Sequence, residues 1–327
     1  MNEAKQPLLE VRDLRVRMRS RDGSGELQVL NGVSFGVDRG QTLGIVGESG
    51  CGKSTTALAI MQLLPGSARV NGGTIRFAGE DLLAKTEQDM SRLRGARLSM
   101  IFQDPMVALD PLFTVGDQIA EPLRRHMRLS GQQLRERQVS LLQSVNIPSP
   151  ETRLGQYPHQ MSGGMLQRMV GAIAISCNPE LLIADEPTTA LDPTAQAQFL
   201  DLLARLRDAH RLALIVVTHD FGVTARLCDV VLVMYAGTVV ECGPVREIFD
   251  NPRHPYTQAL LAAIPQRERQ ARLKTIEGQP PDLARLPAGC AFAARCARAV
   301  DRCRERAPPS LSVGSHHVAA CWRAEDA

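Results

Sequence analysis

Residues 42–61 read TLGIVGESGCGKSTTALAIM. An apolar run from Leu43 to Val46 enters Gly47-Glu48-Ser49-Gly50-Cys51-Gly52-Lys53-Ser54, and an Ala/Leu/Ile-rich helical pattern follows. This is the spacing G-x-x-x-x-G-K-[ST] in a strand–loop–helix context, and that context separates a phosphate loop from an ordinary glycine-rich turn. The glycines let the backbone wrap tightly, so that successive N–H groups and the helix N-terminus face phosphate oxygens. Residues Gly47 to Ser54, with Thr55 beside them, are the candidate nucleotide-binding loop. Lys53 is the side chain to reach the β- and γ-phosphates, and Ser54 the one to hold Mg²⁺. Cys51 reads as a small filler inside the loop.

Working outward, the stretch 179–203, PELLIADEPTTALDPTAQAQFLDLL, holds a second buried strand ending in the adjacent acids Asp185 and Glu186. A carboxylate at a strand's C-terminal end is the expected second handle on Mg²⁺, and this assigns Asp185. Glu186, one residue on, is placed to orient or deprotonate an attacking water. ALIVVTHD, residues 213–220, repeats the pattern and ends at His219, a polar candidate for the γ-phosphate. Between the two halves, YPHQMSGGMLQRMVGAIAI (157–175) places Ser162-Gly163-Gly164 at a helix start, a second potential anion site. One nucleotide needs only one such loop, unless the other is offered to a neighbouring subunit's nucleotide.

The bulk composition agrees with a globular α/β chain. Of 327 residues, 44% are hydrophobic, 22% charged and only 4% aromatic, which suits an Ala/Leu/Val-rich core and argues against disorder. A net charge of +3 is too small to imply a nucleic-acid partner. The first residues mix charges of both signs and lack the apolar core of a signal peptide. The longest apolar runs, LALIVV and VVLVMYAG, fall short of the about 18 residues a membrane helix needs and read as buried strands. The expected compartment is therefore cytoplasmic, where disulfides are not the default state of cysteine.

These motifs, in this order and approximate spacing, resemble the ATP-binding subunits of ABC transporters: the phosphate loop, Gln103 in MIFQDP, SGG, LLIADEP, ALD and His219. The resemblance covers the whole chain. It implies a P-loop NTPase core of RecA type with an antiparallel β subdomain, an inserted helical subdomain over about 103–176 and a small Cys-rich C-terminal extension. It implies a cassette over 1–265 and an extension over 266–327, with the charged stretch near 265–282 marking the boundary. It further implies a head-to-tail dimer, with ATP between one subunit's loop and the partner's signature residues Ser162, Gly163, Gly164 and Met165. Gln103 then senses Mg²⁺ and the membrane partner, and Asp192 couples the two sites. Glu186, His219, Lys53 and Gln103 form the catalytic set, with Mg²⁺ held by Ser54, Gln103 and Asp185.

A narrower resemblance, carried by YPHQMSGGM, IADEPTTALDPTAQAQ, VMYAGTVVECG and NPRHPYTQALLAAIP, is to the dipeptide/oligopeptide/nickel importers. THDFGVTARLCDVVLVMYAG is closer to the first of their two paired ATPases than to the second. The partners so implied are a second homologous ATPase, two transmembrane permease subunits and, through the assembled complex, a substrate-binding protein. The place implied is the cytoplasmic face of the membrane, peripherally bound. The chain departs from the group at Met161 for a leucine, Met165 for a glutamine, and Met18 where an aromatic often stacks on adenine. A soluble ABC ATPase working without a permease is the alternative, although this chain has neither a second cassette nor a long coiled-coil insertion. Peptide, nickel and other small solutes are not distinguished, because the ATPase does not touch the cargo.

One feature lies outside this scheme. Cys290, Cys296, Cys303 and Cys321, half of the eight cysteines, have the spacing C-x5-C-x6-C-x17-C. Four thiolates can hold a [4Fe–4S] cluster. Four-Cys Zn²⁺, with His316 or His317 as a substitute ligand, is the competing reading, and free thiols packing a small appendage are the third. Softness and ligand type favour the cluster, spacing alone does not decide, and members of the resembling group carry such a cluster. The expectation is a metal centre outside the nucleotide site. A redox sensor whose ATPase is regulated is a further reading of the same residues.

Overall fold

The computed structural model describes residues 6–20, 25–189, 191–264 and 275–324. Its strands, in chain order, are β1 (Leu9–Arg19), β2 (Glu26–Val37), β3 (Thr42–Val46), β4 (Ala68–Phe77), β5 (Glu80–Asp81), β6 (Leu98–Ile101), β7 (Leu181–Asp185), β8 (Ala213–Thr218), β9 (Val230–Tyr235), β10 (Thr238–Pro244), β11 (Leu311–Gly314) and β12 (His317–Ala319). The chain forms two compact units: residues 1–37, 42–83 and 218–327 make the first, and residues 38–41 and 84–217 the second.

In the first unit β2, β1, β4 and β5 form an antiparallel sheet. β1 shows the period of two of a half-buried strand in two halves, Leu9 and Val11 and then Leu14 and Val16, offset by one residue where its register shifts. The segment GSARVNGGTIRFAGEDLL, residues 66–83, reads from sequence as turns and short strands, with Asn71-Gly72-Gly73 near its centre. These three residues are instead the middle of one ten-residue strand, β4. Gly73 has φ 89° and faces a bulge at Asp13–Leu14 of β1, where a Cβ would stand 2.4 Å from Asp13 O, so glycine lets β4 run past the bulge without ending.

The unit's second sheet segment starts at β3, whose five residues are all buried. β3 pairs in parallel with β9, Leu43 opposite Val230 and Val46 opposite Val233. β9 continues antiparallel to β10, β10 to β12, and β12 to β11. The last residues of the chain therefore add two strands, for which four- and three-residue segments give no readable sequence period. The core over these strands contains Val46, Val231, Val233, Tyr235, Tyr256 and Phe292, with Leu283, Leu286, Cys290 and Cys296 packed against it. Residues 275–324 thus share the core of the strand that enters the phosphate loop. Of the expected boundary stretch, residues 265–274 lie outside the described residues.

The second unit has a parallel arrangement in which β7 lies between β6 and β8, Leu181 opposite both Leu98 and Ala213. β7 and β8 are buried throughout, as continuous apolar runs covered on both faces must be. Between β6 and β7 the chain is helical, with principal helices Val115–Met127, Gly131–Ser144 and Gly163–Ile175. The 18-residue helix Pro193–His210 follows β7. No helix among the described residues is long and apolar enough to cross a membrane.

Candidate functional site

The phosphate loop leaves β3 at Val46 and ends in the helix Lys53–Ile60. Two of its glycines are dictated by space. A Cβ on Gly47 would stand 2.2 Å from the Met234 carbonyl oxygen. One on Gly52, where φ is 105°, would stand 2.5 Å from Leu30 Cδ2. The loop therefore lies against β2 and β9 at separations that only glycine permits. Lys53 is buried, and its Nζ donates to the carbonyl oxygens of Gly47 at 2.8 Å and Glu48 at 3.0 Å. The ammonium is thus held inside the curl of the loop. Ser49, Gly50 and Ser54 are exposed and Thr55 half-buried. Cys51 is a buried filler, its thiol pushed up by burial. His219 is exposed at the end of β8. Met18 is half-buried in β1, between Leu27 of β2 and Ala68 of β4.

In the second unit, Asp185 is the buried last residue of β7. Glu186 takes a left-handed backbone with φ 45°, an unfavourable conformation for this residue, while its N–H donates to Val217 O at 2.8 Å. The Glu186 carboxylate accepts from Gln103 Nε2 at 3.0 Å and from Thr189 Oγ1 at 3.1 Å. Gln103 and Glu186, two sequence candidates 83 residues apart, are therefore hydrogen-bonded. Asp192 Oδ1 accepts from the backbone N–H groups of Thr194 and Ala195, each at 2.9 Å, and so caps the helix Pro193–His210. Ser162 precedes the helix Gly163–Ile175, but its hydroxyl makes no capping bond to it. Ser162 and Gly163 are exposed, and Gly164 and Met165 half-buried.

Sequence reasoning missed three side chains that fasten the phosphate loop from outside. The Tyr256 hydroxyl accepts the Glu48 N–H at 2.9 Å. Arg295 forms a two-pronged ion pair with the Glu48 carboxylate, Nη1 to Oε2 at 2.8 Å and Nη2 to Oε1 at 3.0 Å. Arg295 Nη1 also donates to the Tyr235 hydroxyl at 3.2 Å. The glutamate pairing holds the guanidinium firmly protonated. Arg295 is separated from Glu48 by 247 residues, and no local pattern signals the pair. The segment that carries the cysteines therefore touches the loop through Arg295.

Cys290, Cys296, Cys303 and Cys321 line one cavity, together with Phe292 and Trp322. All eight cysteines are free thiols. Burial pushes Cys290 up to about 11 and raises Cys296 and Cys321, and the neighbouring thiols add to each rise. The backbone N–H groups of Phe292, Arg298 and Arg323, each two residues on, point at Cys290, Cys296 and Cys321; the Arg323 contact is 3.4 Å. His317 is not beside these sulfurs in the lining. Its Nε2 lies 2.8 Å from the fully buried Glu241 carboxylate. His316 does not line the cavity either. Among the described residues, no three His, Cys, Asp or Glu side chains converge as ligands of a single metal ion.

A glycine-rich loop with an enclosed lysine, and a second unit carrying a strand-end acid pair, define a P-loop ATPase. The comparisons specify it. Residues 30–189 match the family model of the ABC transporter, and residues 240–303 match that of the oligopeptide/dipeptide transporter C-terminal region. A probable peptide ABC transporter ATP-binding protein of Sinorhizobium fredii is 49% identical over 98% of this chain and 96% of its own. The dipeptide transport ATP-binding protein DppD of Bacillus subtilis is 47% identical over 96% and 94%. A dimeric ATP-binding cassette in a post-hydrolysis state with ADP and Pi superimposes with a TM-score of 0.65 at 26% identity, covering 73% of this chain and 99% of that one. The chain belongs to the ATP-binding proteins of the ABC transporter family, in its oligopeptide/dipeptide transporter branch, and has the ABC ATPase cassette fold.

Proposed function

We propose that this protein is the ATP-hydrolysing motor of an importer for di- or oligopeptides, bound peripherally at the cytoplasmic face of a membrane. One observation carries this reading: the similarity to peptide-transport ATPases runs through nearly the whole chain, the C-terminal region included. ATP is the substrate, held by Gly47–Thr55 with Lys53 on its β- and γ-phosphates. Ser54, Gln103 and Asp185 would hold Mg²⁺, which would supply charge neutralisation on the phosphates. Glu186 orients or deprotonates the attacking water, with Gln103 and Thr189 fixing its carboxylate, and His219 contacts the γ-phosphate. Ser162, Gly163, Gly164 and Met165 serve a second, homologous ATPase's nucleotide, and Asp192 lies at that interface. Functionally the chain divides near residue 265 into a cassette and an extension.

The permease-facing surface is assigned to the helical part of the second unit. A groove of about 960 Å³ there is lined by Phe113, Gln118, Arg124 and Arg125 among others. Next to it in sequence, Met106, Val107, Leu112 and Phe113 are exposed, Val107 at 83% and Leu112 at 80%. Adjacent apolar side chains this exposed mark an interaction surface. A substrate-binding protein joins through the assembled complex.

For the four cysteines the reading is a [4Fe–4S] cluster. Its support is the shared cavity and the N–H groups directed at three of the sulfurs. Arg298 and Arg323, which also line the cavity, supply positive charge opposite four thiolates. The cluster would tie together a segment too short to build a core of its own.

The motor assignment is tested with Glu186→Gln in the assembled transporter. ATP binding should persist while turnover falls by about 10²-fold or more, as expected for loss of a general base. Unchanged turnover, with the partner ATPase silenced by its own equivalent substitution, would remove Glu186 from catalysis.

A further inference from the structure

We propose that Arg295 is a positioning residue of the phosphate loop, which cancels the negative charge that Glu48 places there and so sets ATP affinity. The inference rests on the ATPase reading and deepens it. A carboxylate within the loop that receives a triphosphate repels that ligand unless something neutralises it. Arg295 is built to do so. Its side chain is 5% exposed, and each of its N–H groups has a use. Four reach Glu48 twice, Tyr235 and Ile276 O, and Nε donates to Glu277 O at 3.0 Å. The guanidinium also lies 5.8 Å from the Tyr235 ring centroid and 5.9 Å from that of Phe292. Such a planar fork, fully bonded, cannot be reproduced by lysine.

The placement of Arg295 joins two regions. It ends the short 3₁₀ turn Ala293–Arg295, and the next residue is Cys296. Phe292 and Ala293, which precede it, line the four-cysteine cavity together with Cys296. On the loop side, Pro280, Pro281 and Leu283 surround one small pocket with Glu48, Ser49, Gly50 and Cys51. The segment 276–296 therefore braces the outer side of the loop, and Arg295 is its charged contact. Any rearrangement of the 3₁₀ turn at the cysteines moves the group that neutralises Glu48.

The test measures equilibrium binding of a fluorescent ATP analogue, and of the matching AMP analogue, to the full-length chain. Arg295→Met should weaken ATP binding about tenfold and AMP binding much less, because repulsion grows with phosphate charge. Arg295→Lys, which keeps the charge without the fork, should fall between. The decisive variant is Arg295→Met combined with Glu48→Gln, which removes both charges and should return ATP affinity to within about threefold of the original. Unchanged ATP affinity in Arg295→Met overturns the proposal, as does a double variant no better than the single one. If Arg295→Met fails to fold, Arg295→Lys decides: its loss of ATP affinity must exceed its loss of AMP affinity, and unchanged ATP affinity or equal losses overturn the proposal. Failure of the unaltered chain to bind either analogue would instead reject the ATPase reading.

Discussion

Tyr256→Phe removes a single oxygen from the brace of the phosphate loop, and its cost can be worked out from the contacts. Tyr256 is fully buried, and burial holds its phenol far above the usual tyrosine range, so it stays neutral at any ordinary pH. Its ring lies 4.6 Å from that of Tyr235 and 5.3 Å from that of Phe292, and phenylalanine keeps both contacts. What is lost is the bond from Glu48 N–H to the hydroxyl at 2.9 Å. A hydrogen bond of this kind contributes about 1 kcal/mol, and a donor left dry costs about 1–3 kcal/mol. Glu48 is only half-buried, so water can reach part of the vacated site and the lower half of that range applies. The expected loss is therefore about 1–2 kcal/mol in urea unfolding, with the slope against denaturant unchanged. Tyr256→Ala, which also empties the ring's space, should cost about 3–5 kcal/mol. A loss below about 0.3 kcal/mol for the phenylalanine variant would refute the claim that this hydroxyl holds the loop.

Other consequences follow from the same contacts. His254, 1% exposed, is pushed down to about 4 by burial, while its Nδ1 accepts the Tyr256 N–H at 3.1 Å. Its folded value lies below its unfolded one, so its contribution is complete above about pH 6.5 and is lost as pH falls towards 4. Between pH 7 and 5 the protein should lose about 1–2 kcal/mol more than His254→Asn, which keeps a capping acceptor but cannot titrate; equal losses in urea melts would refute this. Anaerobically purified protein should carry about four irons per chain, with broad visible absorption, and Cys303→Ser should lose both. One zinc per chain and no iron would replace the cluster reading by the four-Cys zinc one. Val107→Asp with Leu112→Asp should leave ATP binding by the chain alone unchanged while abolishing co-purification with the permeases; retained assembly would move the docking surface elsewhere.

Much of this was legible because the signals are local. A strand, six loop residues and a helix are contiguous in the phosphate loop, so spacing and context together specify it. The strands β7 and β8 announce themselves as unbroken apolar runs, with Asp185 and His219 at or just past their ends. What the sequence concealed depends on distant chain segments. Asn71-Gly72-Gly73 lies in a segment that reads as turns and short strands, and only the pairing with β1 shows it to be the middle of one strand facing a bulge in β1. Arg295 looks like one of several arginines in a basic stretch, and nothing near it predicts a partner 247 residues away. β11 and β12 are too short to show a period and exist because β10 offers an edge. The capping role of Asp192, its Oδ1 holding the Thr194 and Ala195 N–H groups, is settled only by the backbone around it.

The hydrogen bond between Gln103 and Glu186 gives the proposed motor a physical route from cargo to chemistry. Gln103 lies two residues before the helix Pro105–Ala108, and that helix presents Met106 and Val107 to solvent. On the proposed assignment, a permease seated on these side chains would press on the segment that carries Gln103. The Gln103 amide donates to the Glu186 carboxylate, as does the Thr189 hydroxyl, so a shift of Gln103 removes a contact that orients it. Docking that shifts Gln103 would then change the aim of the residue assigned to activate water, which itself sits on a left-handed backbone. Gln103→Glu puts a like charge against Glu186 and removes the donor. It should lower transport-coupled ATP turnover far more than it lowers ATP binding, and equal losses in both would break the link between Gln103 and Glu186.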